Sequence, residues 1–281
     1  MPEKNPFSPE AQEGMSQLLA DADMRAKSLR AEAQRAEQVR DIWNRLFNFM
    51  NKGWYLHIQV LMDQERKLLH DLREQRDPAV RYLEEIYRIA KHEGANVLKR
   101  FPTHLEAAAS AAGLSIDKES RHPKYTVDDK FFQLELDDRK GTVRISDYEG
   151  QLTELPADVG AVIEAVQHER SRVLERPFDR EQFLGKLRRQ YLGIVNKDGL
   201  TDGDAVPIRR ITARLGKNEK GFRTDEFAVD LSRLVEQGPA EIDGCQLELQ
   251  QTKDISQGML LRGAGGRGYI GYIKFRRTQN A

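Results

Sequence analysis

The chain is expected to be mainly α with a minor β component, an α+β protein, and three observations predict it. A stripe of apolar residues at 4-3 spacing runs through the first fifty positions. A strictly alternating segment follows residue 125, and the last hundred positions switch between helical and strand periodicity. Those changes of pattern divide the chain into a helical, coiled-coil arm and bundle over 1–113, a β-hairpin and helix module over 114–176, and a further domain over 177–281.

The arm opens at Ser8-Pro9, a hydroxyl cap followed by a proline whose fixed φ suits the first helical position. Met15, Leu19, Ala22, Ala26, Leu29, Ala33, Ala36, Trp43, Phe47 and Met50 then share one seam, broken only by Arg40. Arg, Glu, Gln and Asp crowd the faces between, the heptad pattern of a coiled coil or long bundle helix. The alanine-rich middle lets another helix come close but buries little area per layer. A partner helix is therefore expected, either within the chain or in a homo-oligomer through residues 15–50.

Asn51-Lys52-Gly53 interrupts the seam. A second helix is expected from about Trp54 to Gln75, with Ile58, Leu61, Met62, Leu68, Leu69 and Leu72 on one side. Asp77-Pro78 starts a third, through Leu83, Ile86, Tyr87 and Ala90. Pro102 is expected to end the helical segment beyond Gly94, and Thr103-x-x-Glu106 to cap a separate short helix that stops at Gly113. Phe132, Leu134 and Leu136, then Val143 and Ile145 beyond the turn at Asp138-Arg139-Lys140-Gly141, alternate as a β-hairpin. Pro156 opens another helix, with Val159, Val162, Ile163, Val166, Val173 and Leu174 at helical spacing, and Arg176-Pro177 closes it.

Beyond Phe178 the order of elements carries information. Asp179 caps a helix with Phe183, Leu184, Leu187 and Tyr191 inward, and a polar turn leads to the short apolar stretch Val206-Pro207-Ile208. A brief helix comes next through Ile211 and Leu215, then the loop KNEKGFR, then a helix capped by Thr224 with Phe227, Leu231, Leu234 and Val235 facing in. Two alternating strands finish it, Cys245-Leu247-Leu249 and Tyr269-Gly271-Ile273-Phe275.

This succession resembles a winged-helix domain over roughly 178–277. The resemblance implies a helix-turn-helix whose recognition helix begins at Thr224, with the last hairpin as the wing. It further implies nucleic-acid contact by Arg209, Arg210, Arg214, Lys217, Lys220 and Arg223, and by Arg262 and Arg267 on the wing. Asp225, Glu226, Asp230 and Glu236 face a lone Arg233 on the presumed recognition helix, and carboxylates near phosphates are repelled. The partner expected is therefore DNA bound with weak sequence preference, or a larger protein subunit.

Charge supports the direction without deciding it. Net charge is zero, but from Pro177 onward 18 Lys/Arg stand against 14 Asp/Glu, and Arg262 to Arg277 holds five basic residues and no acid. No apolar run approaches the ~20 residues that cross a bilayer. The start, MPEKNPFSPE, lacks a secretory pattern, and a single Cys245 excludes an intramolecular disulfide, so a cytoplasmic, non-membrane protein is expected.

Signs of catalysis are weak. GAGGRG at 263–268 matches G-x-G-x-x-G, but YIGYIKF after it alternates as a strand, so no helix N-terminus meets a pyrophosphate. The match is expected to be a hairpin tip. His57, His70, His92, His104, His122 and His168 form no metal-spaced cluster, and Cys245 has no neighbouring base. Asp128, Asp129 and Asp137 flank a strand and could compose a Mg²⁺ nuclease site. The preferred reading has no catalytic residue, metal or cofactor: a non-enzymatic DNA-associated accessory or scaffold protein of a larger bacterial DNA-handling or defence assembly. A metal-dependent nuclease and a dimeric transcription regulator are its alternatives.

Overall fold

In a computed structural model, which describes residues 8–128, 130–262 and 269–278, Ser8 Oγ accepts the Ala11 N–H at 3.2 Å and starts α1, Pro9–Lys52. Gly53 at φ 66° ends it, and the Trp54 N–H reaches back to the Phe49 carbonyl. α2 (Tyr55–Gln64) and α3 (Arg66–Glu74) stand where the periodicity predicts one helix. Glu65 kinks the backbone between them, yet its N–H still reaches Leu61 and its carbonyl still accepts from Leu69.

α4 (Ala79–Ala111) corrects the expected stop at Pro102, which lies inside the helix. The lost hydrogen bond and ring clash cost about 3 kcal/mol. Phe101, Leu105 and Ala109 are fully buried on one stripe around it. Burying that stripe at roughly 1.5–3 kcal/mol per large side chain outweighs the penalty. The chain divides within this helix into two compact units, Met1–Gly94 and Ala95–Ala281.

In the first unit the core gathers Leu46, Ile58, Leu61, Met62, Leu83 and Ala90, with Trp43, Phe49, Tyr55 and Tyr87 partly buried around them. Only the last turns of α1 take part. Met15, Leu19 and Leu29 are 66%, 66% and 57% exposed, and Phe47 is 65% exposed although it lies beside buried Leu46. From Met15 to Ala36 the seam is therefore left uncovered among the described residues, apart from half-buried Ala26, whereas at its C-terminal end Trp43 packs on the core beside Leu46, which is off the seam.

In the second unit, β1 (Lys124–Val127), β2 (Phe132–Asp137), β3 (Thr142–Ser146) and β4 (Gln151–Pro156) form an antiparallel meander in sequence order. The expected hairpin is its middle, β2 and β3. Tyr125, Val127, Phe132, Leu134, Leu136, Val143 and Ile145 are buried on one face, with Phe101 beside Tyr125 at 6.2 Å between ring centroids. Lys124, Glu135, Arg144 and Glu154 stand in register across the other face as a ladder of alternating charge.

α5 (Val159–Leu174) and α6 (Arg180–Asp198) come next, the latter capped by the Asp179 carboxylate on the Gln182 N–H at 2.9 Å. β5 (Val206–Pro207), α7 (Ile208–Asn218), α8 (Thr224–Glu236) and β6 (Glu241–Ile242) lead to β7 (Cys245–Thr252), β8 (Met259–Leu260) and β9 (Tyr269–Arg277). The second sheet runs β5-β9-β7-β6, with β8 also on β9. Phe183, Leu187, Tyr191, Ile208, Ile211, Leu215, Phe227, Leu231, Ile273 and Phe275 fill the space between helices and sheet. Val235, expected inward, is exposed, and α8 starts at Thr224 with Arg223 in the cap position and no side-chain cap.

Candidate nucleic-acid interface

The basic residues singled out from the sequence gather on α7, on the α7–α8 turn and at the end of β8, but most are already occupied. Arg209, at the start of α7, pairs with Glu149 of the β3–β4 turn and donates to the Gly258 carbonyl at 2.5 Å. Arg210 pairs with Asp198 at the end of α6, which raises the guanidinium pKa and lowers that of the carboxyl. Arg214 donates to Gln190 at 3.0 Å and lies against Gly193, where any Cβ would meet its Nη2 at 2.6 Å. Arg223 holds Asp225 at 3.0 Å.

Arg262 is turned back into the protein. Its N–H donates to Ser232 Oγ on α8 at 2.9 Å, and its guanidinium lies 3.7 Å from the Asp128 carboxylate and over the Phe131 ring. Lys217 and Lys220 differ: both are exposed, and neither has an ion-pair partner among the described residues. Arg267 and the GAGGRG segment lie outside the described residues, as does Asp129.

α8 is covered. Asp225, Phe227, Ala228, Val229, Asp230, Leu231, Ser232 and Leu234 are all buried. Its acidic side meets α5: Arg172 reaches Glu169, Asp225 and Glu226, and Arg176, just past α5, reaches Asp230 at 2.5 Å. Arg233 completes the clasp by donating to the Leu174 and Arg176 carbonyls. Burial works against charge on Asp225, but Arg223 and Arg172 hold its pKa below the ordinary value. For Asp230 burial wins over Arg176, and its pKa is raised. The excess of acid on α8 is thus matched inside the chain. The sequence signal that could have found it is Arg172 and Arg176, four residues apart across the end of α5, and Glu226 and Asp230 spaced i,i+4 on α8.

Asp128 and Asp137, the two described residues of the candidate metal site, are not brought together. Asp128 lies at the β1–β2 turn and Asp137 at the β2–β3 turn, so all of β2 separates them, about 16 Å at ~3.3 Å per residue. Asp137 instead accepts the Arg139 and Lys140 N–H groups of its turn, and Asp128 stands at φ 56° between Arg170 and Arg262. Among the described residues no group of three or more His, Cys, Asp or Glu is placed to hold a metal. Cys245 is free and buried, with Arg188 near its sulfur. His122 does have partners missed in the sequence, Asp138 at 2.8 Å from Nε2 and the Tyr125 hydroxyl at 3.3 Å from Nδ1; His122 and Asp138 are solvent-exposed and Tyr125 is buried.

No helix of the described residues is long and apolar enough to cross a membrane. No protein-family model, curated protein or solved structure matches the chain.

Proposed function

We propose that residues 178–277 form a winged-helix module in a non-enzymatic accessory protein of a larger DNA-handling assembly, contacting duplex DNA without strong sequence preference. The order α6, β5, α7, α8, β7, β9, with β5 paired to β9 and β9 to β7, supports the winged-helix reading. The observation that carries the function is the covering of α8 by α5. A helix whose acidic side is held by Arg172 and Arg176 has no free face to read bases in a major groove. Of the basic residues of the candidate interface, Lys217 in the last turn of α7 and Lys220 in the turn that follows are exposed and have no ion-pair partner among the described residues. The wing arginines, Arg262 and Arg267, would add phosphate contacts once Arg262 leaves Asp128. Phosphate contact of this kind positions a protein on DNA but does not specify sequence.

The arm over 15–50 would dock a partner subunit or a second copy. The test of the DNA reading is competition between two unrelated duplexes of equal length at one salt concentration. Affinities within about threefold of each other are expected, since each specific base pair would contribute ~1–3 kcal/mol. A preference above a hundredfold would identify a sequence-reading regulator instead.

A further inference from the structure

The exposed seam of α1 carries enough charge pattern to name its occupant. Met15, Leu19, Ala22, Ala26, Leu29, Ala33 and Ala36 form the seam, and Asp23, Arg25, Arg30 and Glu32 flank it. All four flanking charges are exposed or half-buried and make no ion pair among the described residues. Leu18, off the seam, is 63% exposed. The seam is an uncovered apolar stripe, and its charges discriminate among the ways a second identical helix could lie on it.

In a parallel, in-register pair Arg25 would face the partner's Arg30, and Glu32 the partner's Glu37. Arg40 would also face the partner's Arg40 inside the seam. All three contacts are repulsive. Reversing one helix about a centre between Lys27 and Ser28 changes every one of them. Arg25 then meets the partner's Glu32, and Asp23 meets the partner's Arg30, each pair occurring twice by symmetry. Large side chains oppose small ones, Leu19 against the partner's Ala36 and Leu29 against the partner's Ala26. Leu18 is covered by the partner's Val39. Arg40, the one break in the seam, falls at the end of the overlap, where its stem can cover the partner's Met15 and its charge can stay in water. Sliding the reversed helix one heptad either way restores like-charge contacts, Arg25 on the partner's Arg25 or Glu32 on the partner's Glu32.

We propose that α1 pairs with α1 of a second copy as an antiparallel coiled coil from Met15 to Arg40, about 39 Å long at 1.5 Å per residue. The seam contacts end where Arg40 meets the partner's Met15, six residues short of Leu46, through which α1 packs on the other helices of its own unit. The proposal takes up the docking role of the arm, and is independent of whether the C-terminal module binds DNA.

Sedimentation equilibrium of the full chain should give a dimer at micromolar concentration. Arg25→Glu should weaken it about tenfold, two attractive pairs having become repulsive. The Arg25→Glu/Glu32→Arg double variant should restore it, because the swapped charges face each other again. In a parallel pair Arg25→Glu would tighten the dimer by facing the partner's Arg30, and that result overturns the proposal. So does a monomer at ~50 μM, or a dimer indifferent to both variants. A second readout needs no stability change: Ala26→Cys chains mixed with Leu29→Cys chains should cross-link through these sites, whereas Ala26→Cys alone should not. Cross-linking by Ala26→Cys alone would mark the parallel pair. Duplex binding measured on the same variants separates failure of this proposal from failure of the DNA reading.

Discussion

Arg172 on α5 donates to the Asp225 carboxylate at 2.5 Å and, through its other amino group, to Glu226 at 2.7 Å. Its Nε takes Glu169 of its own helix at 2.8 Å, so one guanidinium joins three carboxylates. Burial opposes its charge, but Asp225 and Glu169 keep its pKa above the usual value. This contact turns the first two acids of α8 from a surface feature into part of the α5–α8 interface.

Removing Arg172 should therefore destabilise the second unit. Asp225 is only 5% exposed, and without Arg172 its buried charge keeps only the more exposed Arg223 as an ion-pair partner. Arg172→Ala is expected to cost about 3 kcal/mol in urea unfolding. Arg144→Ala, on the exposed ladder, should cost under about 1 kcal/mol by the same measurement. Equal losses would mean that the clasp contributes nothing beyond a surface pair.

The two ends of the clasp should respond oppositely to pH. Asp225 has a folded pKa below its ordinary 3.8, so its contribution is present above that value and is lost as pH falls through the lowered pKa. Asp230 has a folded pKa above 3.8, so its contribution is fully present below that value and is lost as pH rises through the raised pKa. The stability gap between wild type and Asp225→Asn should shrink on acidification below pH 4. The gap for Asp230→Asn should shrink as pH rises above 4. Urea midpoints of the three proteins between pH 3 and 7 check both signs, and parallel trends would contradict them.

Gly271 should be intolerant of a side chain. The β7–β9 ladder pairs Gln250 with Tyr272 and Gln251 with Ile270, which leaves Gly271 as the extra residue of a bulge. A Cβ there would meet Thr252 Cβ at 2.6 Å, and that atom cannot swing away as the end of a long side chain could. Gly271→Ala is expected to cost roughly 1–3 kcal/mol. Thr252→Gly/Gly271→Ala should recover part of it, because only glycine removes the Thr252 Cβ, and no recovery would place the strain elsewhere.

Much of this fold is written in local periodicity. The Ser8 cap, the Gly53 stop, the β2–β3 hairpin and the inward faces of α6 and α8 all arise from spacing and capping within a few residues. β1 and β4 are harder to read. β1 has four residues, and Gln151–Pro156 offers only Leu152 and Leu155 as large apolar side chains, both of them on an edge strand. Continuation of α4 through Pro102 is a tertiary effect, set by what Phe101 and Leu105 bury. The basic residues of the candidate interface were legible as a set, but their partners were not. Glu149 lies sixty residues from Arg209, and Asp225 fifty-three from Arg172, so no local pattern marks those contacts.

The most direct measurement is the salt dependence of binding to a short non-specific duplex, comparing the intact chain with a variant carrying Lys217→Ala, Lys220→Ala, Arg262→Ala and Arg267→Ala. Each phosphate contact contributes about 0.9 to the slope of log affinity against log salt. A slope lower by about 2–4 in the variant is predicted, roughly two units from the lysines of the turn and the remainder from the wing arginines. An unchanged slope, or no binding by the intact chain even at ~50 mM salt, would contradict DNA contact by the turn and wing and assign the module to protein docking.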